Sequence, residues 1–301
     1  GFKRGMRNGV GKEYSKEGKV VFDGCFQDGL YCGLGRLFLQ DGSYIDGRFE
    51  NGKLEGEASK YRSDGHLCSI ATYREGKPCG SMKEFDKQGY LCYDGGWNDY
   101  GYFGKGVMYY PGGRVHYDGE FLNGSFNGYG QLYNMDGDLI YIGEFQQGKY
   151  EGEGKEYTEN TLLLYTGEFH QGNRHGNGKL FFSEGHYYEG NFSDGTITGK
   201  GKMVWSDGEM YEGEFKNGQK NGMGKFVWSD ASWYEGEFQN DQRNGKGKQF
   251  DSEGRLVYEG EWKEGHATGH GKLYFLTGCS YEGEVVNGKR VGSGKQLNEK
   301  G

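Results

Sequence analysis

Two glycine series, locked in phase, constrain the fold of this chain more than any other feature. One runs Gly24, Gly47, Gly95, Gly119, Gly143, Gly167, Gly190, Gly213, Gly236, Gly260 and Gly283, with Ala71 in its third place. The other lies nine residues further on, from Gly9 and Gly33 through Gly222 to Gly292, and has no missing member. Successive members of each series are 23 or 24 residues apart. A fixed period of this length means one supersecondary unit stacked many times, because a unit so small cannot bury its apolar face alone. The second series counts about 13 units over residues 1–301, read as a single array whose first and last copies are incomplete.

Each copy reads as a hairpin. In the clearest one, Tyr211, Gly213 and Phe215 alternate with Glu212 and Glu214, which is the period of a strand. Asn217-Gly218 is a turn signal. Gly222, Gly224, Phe226 and Trp228 then alternate with Met223, Lys225 and Val227 as a second strand. Asp-Gly pairs such as Asp207-Gly208 join one copy to the next. No segment has a helical pattern with caps. The expectation is an all-β, antiparallel meander of about 25 strands.

Composition agrees. Glycine supplies 61 of 301 residues but proline only 2, which excludes collagen, and 16% aromatic content argues against disorder. The net charge of −8 speaks against nucleic acid as a partner. No apolar run is long enough for a transmembrane helix. The six cysteines, Cys25, Cys32, Cys68, Cys79, Cys92 and Cys279, form no CxxC pair and read as reduced, structural thiols in a cytoplasmic protein.

The phrase YEGEFKNGQKNGMGKFVWSD, residues 211–230, closely resembles the MORN (membrane occupation and recognition nexus) repeat, and variants begin at Tyr117, Tyr234 and Tyr258. The resemblance covers nearly the whole chain. It implies an elongated, twisted, single-layer sheet of stacked hairpins. It also implies a non-catalytic role in binding, scaffolding or tethering, in cytoskeletal, ciliary or membrane-associated assemblies. The copies depart most from the pattern at about 56–104, where Ala58, Ala71 and Met82 occupy glycine positions. Asp241 replaces a turn glycine, and Thr161 to Leu164 replace an Asp-Gly turn.

Motifs for chemistry are weak. Gly47 to Lys53, Gly143 to Lys149 and Gly283 to Arg290 mimic a phosphate loop, but each lacks the Ser/Thr and the following helix. His266 and His270 have zinc-like spacing only on a helix, and here they flank a turn. The expectation is no cofactor, no metal and no catalysis. Opposed Glu and Lys rows, such as Glu212, Glu235 and Glu259 against Lys225, Lys248 and Lys272, read as a solvated charge ladder.

The aromatic face is the candidate site, and two readings stay open for it. In one, the rings line a groove for a helix or an extended peptide of a protein partner. In the other they pack only on each other. The candidates are Tyr117, Phe121, Tyr141, Phe145, Tyr165, Phe169, Tyr188, Phe192, Tyr211, Phe215, Trp228, Tyr234, Phe238, Tyr258 and Trp262. Acidic phospholipid is the alternative partner, through Arg174, His175, Lys216, Lys220, Arg243, Lys289 and Arg290. An accessory segment of a larger enzyme is a third reading. Because Gly1-Phe2 opens in mid-hairpin, open strand edges are expected at both ends, to be covered by flanking sequence or by an end-to-end homodimer.

Overall fold

The computed structural model describes residues 1–298. Every regular element among them is a strand, 27 in all. Phe2–Lys3 and Met6–Arg7 form a small sheet of their own, and the other 25 make up antiparallel meander. The chain divides into two compact units. The first is residues 1–150 with 157–161, and the second is residues 151–156 with 162–301. The strand Lys149–Tyr157 is shared between them. In each unit the strands pair with their neighbours in chain order, and the meander is open rather than closed into a barrel.

The hairpin Met210–Lys216 and Gln219–Val227 shows how sequence builds the unit. Asn217 (φ 51°) and Gly218 (φ 78°) are both left-handed, as a two-residue turn matched to strand twist demands. Gly213 faces Gly224, and Tyr211 faces Phe226. The register then slips between Gly213 and Phe215, so that Phe215 faces Lys220. The residues left over form a β-bulge around Gly222 (φ 102°). All members of the second glycine series have positive φ, between 58° at Gly176 and 102° at Gly222. That explains why the series is never interrupted: an L side chain is strained in this conformation at every copy.

The first glycine series has a different cause. The Tyr211 ring folds back over its own strand, and its hydroxyl donates to the carbonyl of Glu214 at 3.0 Å. A Cβ on Gly213 would stand 2.6 Å from that hydroxyl, and one on Gly224 would run into the ring. The same tyrosine-to-carbonyl bond recurs at Tyr117, Tyr141, Tyr165, Tyr234 and Tyr258, each at 3.0 Å. Where Ile45 or Ser69 takes the place of the ring, one or both glycines of the pair are replaced. Ser69 stands at the tyrosine position of its copy, and Ala71 and Met82 pack into the vacated space, 3% and 6% exposed. The hairpin Leu67–Arg74 with Lys77–Phe85 thus persists by exchanging ring-on-glycine packing for aliphatic packing, whereas Leu91–Asn98 with Gly101–Tyr109 keeps the ring, with Tyr93 over Gly95 and Gly106.

Adjacent hairpins are also tied at their tips. The turn N–H of one hairpin donates to a carbonyl of the hairpin before it: Gly218 to Ile197 at 2.9 Å, Asp241 to Lys220 at 3.0 Å and Gly265 to Arg243 at 2.9 Å. Among the described residues no helix is long and apolar enough to cross a membrane.

Candidate functional site

Each core tyrosine is enclosed on all sides. Beneath the ring lies the glycine pair. Its flanks are two phenylalanines in edge-to-face contact: Tyr117 meets Phe121 and Phe145, both at 5.1 Å, and Tyr211 meets Phe215 and Phe238, both at 5.0 Å. The cover comes from the strand after the turn. In the first unit it is aromatic, with Phe126 stacked on Tyr117 at 3.9 Å and Tyr150 on Tyr141 at 3.7 Å. In the second unit four copies carry a cation at this position, Arg174 over Tyr165, Lys220 over Tyr211, Arg243 over Tyr234 and Arg290 over Tyr281, at 5.2 to 5.9 Å, and two carry the aliphatic Ile197 and Ala267.

This enclosure corrects the expected aromatic groove. Tyr117, Phe121, Tyr141, Phe145, Tyr165, Phe169, Tyr188, Phe192, Tyr211, Phe215, Tyr234, Phe238, Tyr258 and Trp262 are 0–5% exposed and form the chain's own core. The bend of each tyrosine onto its glycines lets a single layer bury rings without a second layer, so these residues are closed to a partner. Of the candidates, Trp228 alone keeps a half-exposed ring.

Trp228 belongs to a band on the same face of the second unit. Trp205 lies 5.6 Å from Phe226, and Phe226 lies 5.2 Å from Trp228. All three are half-buried. Two cations sit among them. Lys220 Nζ is 5.2 Å from the Trp205 ring and 5.1 Å from Phe226. Its side chain is 15% exposed and pairs with Asp241 at 3.8 Å. Burial holds its ammonium below the usual lysine range, and Asp241 only partly opposes this. The Arg243 guanidinium lies 4.1 Å from Trp262 and 5.4 Å from Trp228. It donates to Gly265 O at 2.7 Å and to Gln249 Oε1 at 3.2 Å. Burial also lowers its pKa. Among the described residues no carboxylate forms an ion pair with it, so its charge is held by neutral oxygens and ring faces.

Asp241 explains itself here. It accepts the turn position of a glycine at φ 67°, and its carboxylate receives the Lys220 N–H at 2.9 Å besides facing Nζ. The other cations named for lipid binding differ in setting. Arg174 is bound to Glu156 at 2.8 Å, whereas Lys216, Lys289 and Arg290 are exposed. The side chain of Leu162 is also exposed.

The opposite face carries the charge ladder in the expected register, Glu212 facing Lys225 and Lys202, and Glu259 facing Lys248 and Lys272. Shallow depressions of ≈ 870 and ≈ 700 Å³ lie along it, floored by glycines such as Gly201, Gly213 and Gly236 and walled by these residues. Their walls neutralise themselves, as in Lys248 to Glu259 at 3.1 Å. Among the described residues no group of three His, Cys, Asp or Glu side chains is placed to hold a metal ion.

The ladder hides one role that sequence reading missed. The second glutamate of the phrase caps the bulge. Glu168 Oε1 accepts the Asn177 N–H at 2.8 Å, and Glu237 Oε1 accepts the Lys246 N–H at 2.9 Å. Asn191 does the same for Lys200 at 3.2 Å. The signal was present as a constant spacing of nine between an oxygen-bearing side chain and its donor.

The MORN repeat family model matches eleven segments: residues 1–20, 22–44, 46–67, 117–139, 141–160, 165–187, 188–210, 211–232, 234–254, 258–280 and 281–301. The chain belongs to the MORN repeat family. The longest stretch it leaves unmatched, 68–116, includes the copy in which Ser69, Ala71 and Met82 replace the tyrosine and glycines. No curated protein matches the chain. Among solved structures, the crystal structure of TcdB2-TccC3-TEV is 10% identical, with 84% of this chain covering 15% of that one at a TM-score of 0.21. A protein of unknown function from Bacteroides caccae is 14% identical, with coverage of 86% and 94% and a TM-score of 0.16. Likeness at that level carries no argument for function. MORN repeats are a non-enzymatic family that generally serves protein or membrane interactions.

Proposed function

We propose that this MORN repeat chain is a non-catalytic interaction scaffold that holds an acidic segment of a protein partner, helical or extended, against the tryptophan face of its second unit. The observation that carries this reading is Arg243. It is half-buried beside Trp228 and Trp262, and no carboxylate of the described chain pairs with it. A partner carboxylate would meet a guanidinium already oriented by Gly265 and Gln249, next to the half-exposed indole ring of Trp228. Trp and Arg are the residue types that dominate interface energetics. A place within a cytoskeletal, ciliary or membrane-associated assembly is part of the same proposal.

The test compares capture of an isolated binding partner by the wild-type chain and by Arg243→Gln and Trp228→Ala variants. Either change lowers affinity by about tenfold or more, in the range of a lost interface anchor, while far-ultraviolet dichroism stays unchanged. Full affinity in a folded double variant would reject this face.

A further inference from the structure

Cys25 stands where other copies carry the bulge-capping glutamate, in the order Phe22-Asp23-Gly24-Cys25-Phe26. Its thiol has no need of the bulge N–H. It faces Cys32 instead, the residue just before the bulge glycine Gly33, as Asn221 precedes Gly222. Cys25 and Cys32 are direct cross-strand partners, and the Cys32 thiol donates to Cys25 Sγ at 3.0 Å. Both cysteines are unbonded and half-buried. A disulfide needs a sulfur separation of about 2.05 Å and Cα atoms about 5.5–6 Å apart, which neighbouring antiparallel strands already offer. Access is open: Val10, the partner of Cys25 on its other side, and Leu34, within the bulge, are each 80% exposed.

We infer that Cys25 and Cys32 are a dithiol site, oxidised by small-molecule disulfides such as oxidised glutathione to a cross-strand disulfide that clips the bulge covalently. One cysteine thiolate attacks a sulfur of the small disulfide, a mixed disulfide forms, and one small thiolate leaves. The second cysteine, as its thiolate, attacks the protein sulfur of that mixed disulfide. The Cys25–Cys32 bond forms and the second small thiolate leaves. Two protein thiols lose two electrons, the small disulfide gains them, and the two thiol protons end on the released thiolates or in water. The bond replaces the hydrogen bond by which Glu237 secures the equivalent bulge. The hydrogen bond between the thiols, the main cause of a Cys32 pKa pushed up to about 11, keeps the reduced pair together until it reacts.

The experiment uses the full native chain and oxidised glutathione, followed by thiol blocking, trypsin and mass spectrometry. Both cysteines fall in one tryptic peptide, Val20 to Arg36. It should lose about 2 Da, carry no glutathione and return to its reduced mass with dithiothreitol. The Cys32→Ser chain should instead keep glutathione on Cys25, at least about tenfold more than wild type, since no neighbouring thiol resolves the adduct. A native wild-type peptide that stays reduced, or that keeps stable glutathione on either cysteine, overturns the inference. The wild-type result decides even if the serine variant does not fold.

Discussion

At the scale of single residues, the glycines of this chain do two different jobs that the sequence spells identically. Gly224 makes room for the Tyr211 ring, whereas Gly222 supplies a left-handed bulge. Gly224→Ala pushes a methyl into a fully buried ring and should cost about 3 kcal/mol, read as a lower urea midpoint. The two glutamates of a copy should differ just as clearly. Glu237→Ala removes the acceptor of the Lys246 N–H and should cost about 1 kcal/mol, tempered by exposure. Glu235→Ala loses only an exposed ladder charge and should stay within about 0.5 kcal/mol. Both were legible only as a charge pattern. A bulge shifts the register by bringing distant backbone under a side chain, and alternation alone does not reveal that. For the same reason the facing of Cys25 and Cys32 was not read from their spacing of seven, although the hairpin register contains it.

At the scale of the element, the hairpins, turns and strand count were legible because Gly and Asn-Gly mark local backbone conformations. What was not legible was where the rings go. A tyrosine two residues before a glycine reads as half of a pleated face, yet here it bends over that glycine and becomes core. The consequence can be read in alkali. Burial pushes the phenols of Tyr93 and Tyr188 up to about 12 from the ordinary 10.0, and raises those of Tyr117, Tyr165, Tyr211 and Tyr234 in the same direction. A raised folded pKa gives stability that is complete below the unfolded value and is lost as pH climbs through the folded one. The chain should therefore hold its stability to about pH 10 and lose it between about pH 10 and 12. Tyrosinate absorbance should rise together with loss of the β signal. Ionisation of all the tyrosines, buried ones included, near pH 10 with the fold intact would show the buried rings to be open to water.

At the scale of the molecule, a meander bonded only between chain neighbours should respond to editing copy by copy. Excising residues 211–233, one full period, brings Tyr234 to the position of Tyr211 and preserves every alternation. The shortened chain should still fold, with a strand signal reduced in proportion, as circular dichroism will show. The same excision removes Lys220, Phe226 and Trp228, so it should abolish partner capture while sparing the fold. Family membership and the repeat were legible across the chain from its glycines. The tryptophan and arginine band was not, because it arises only where the second unit puts cations in place of aromatic covers. Site-specific photocrosslinking tests that band most directly, with a photoreactive phenylalanine placed at position 228 on the tryptophan face or at position 223 on the charge ladder. A partner adduct is expected from position 228, lost on adding Arg243→Gln, with little from position 223. An adduct from position 223 alone, or one from position 228 that ignores Arg243, would reject the tryptophan face as the partner site.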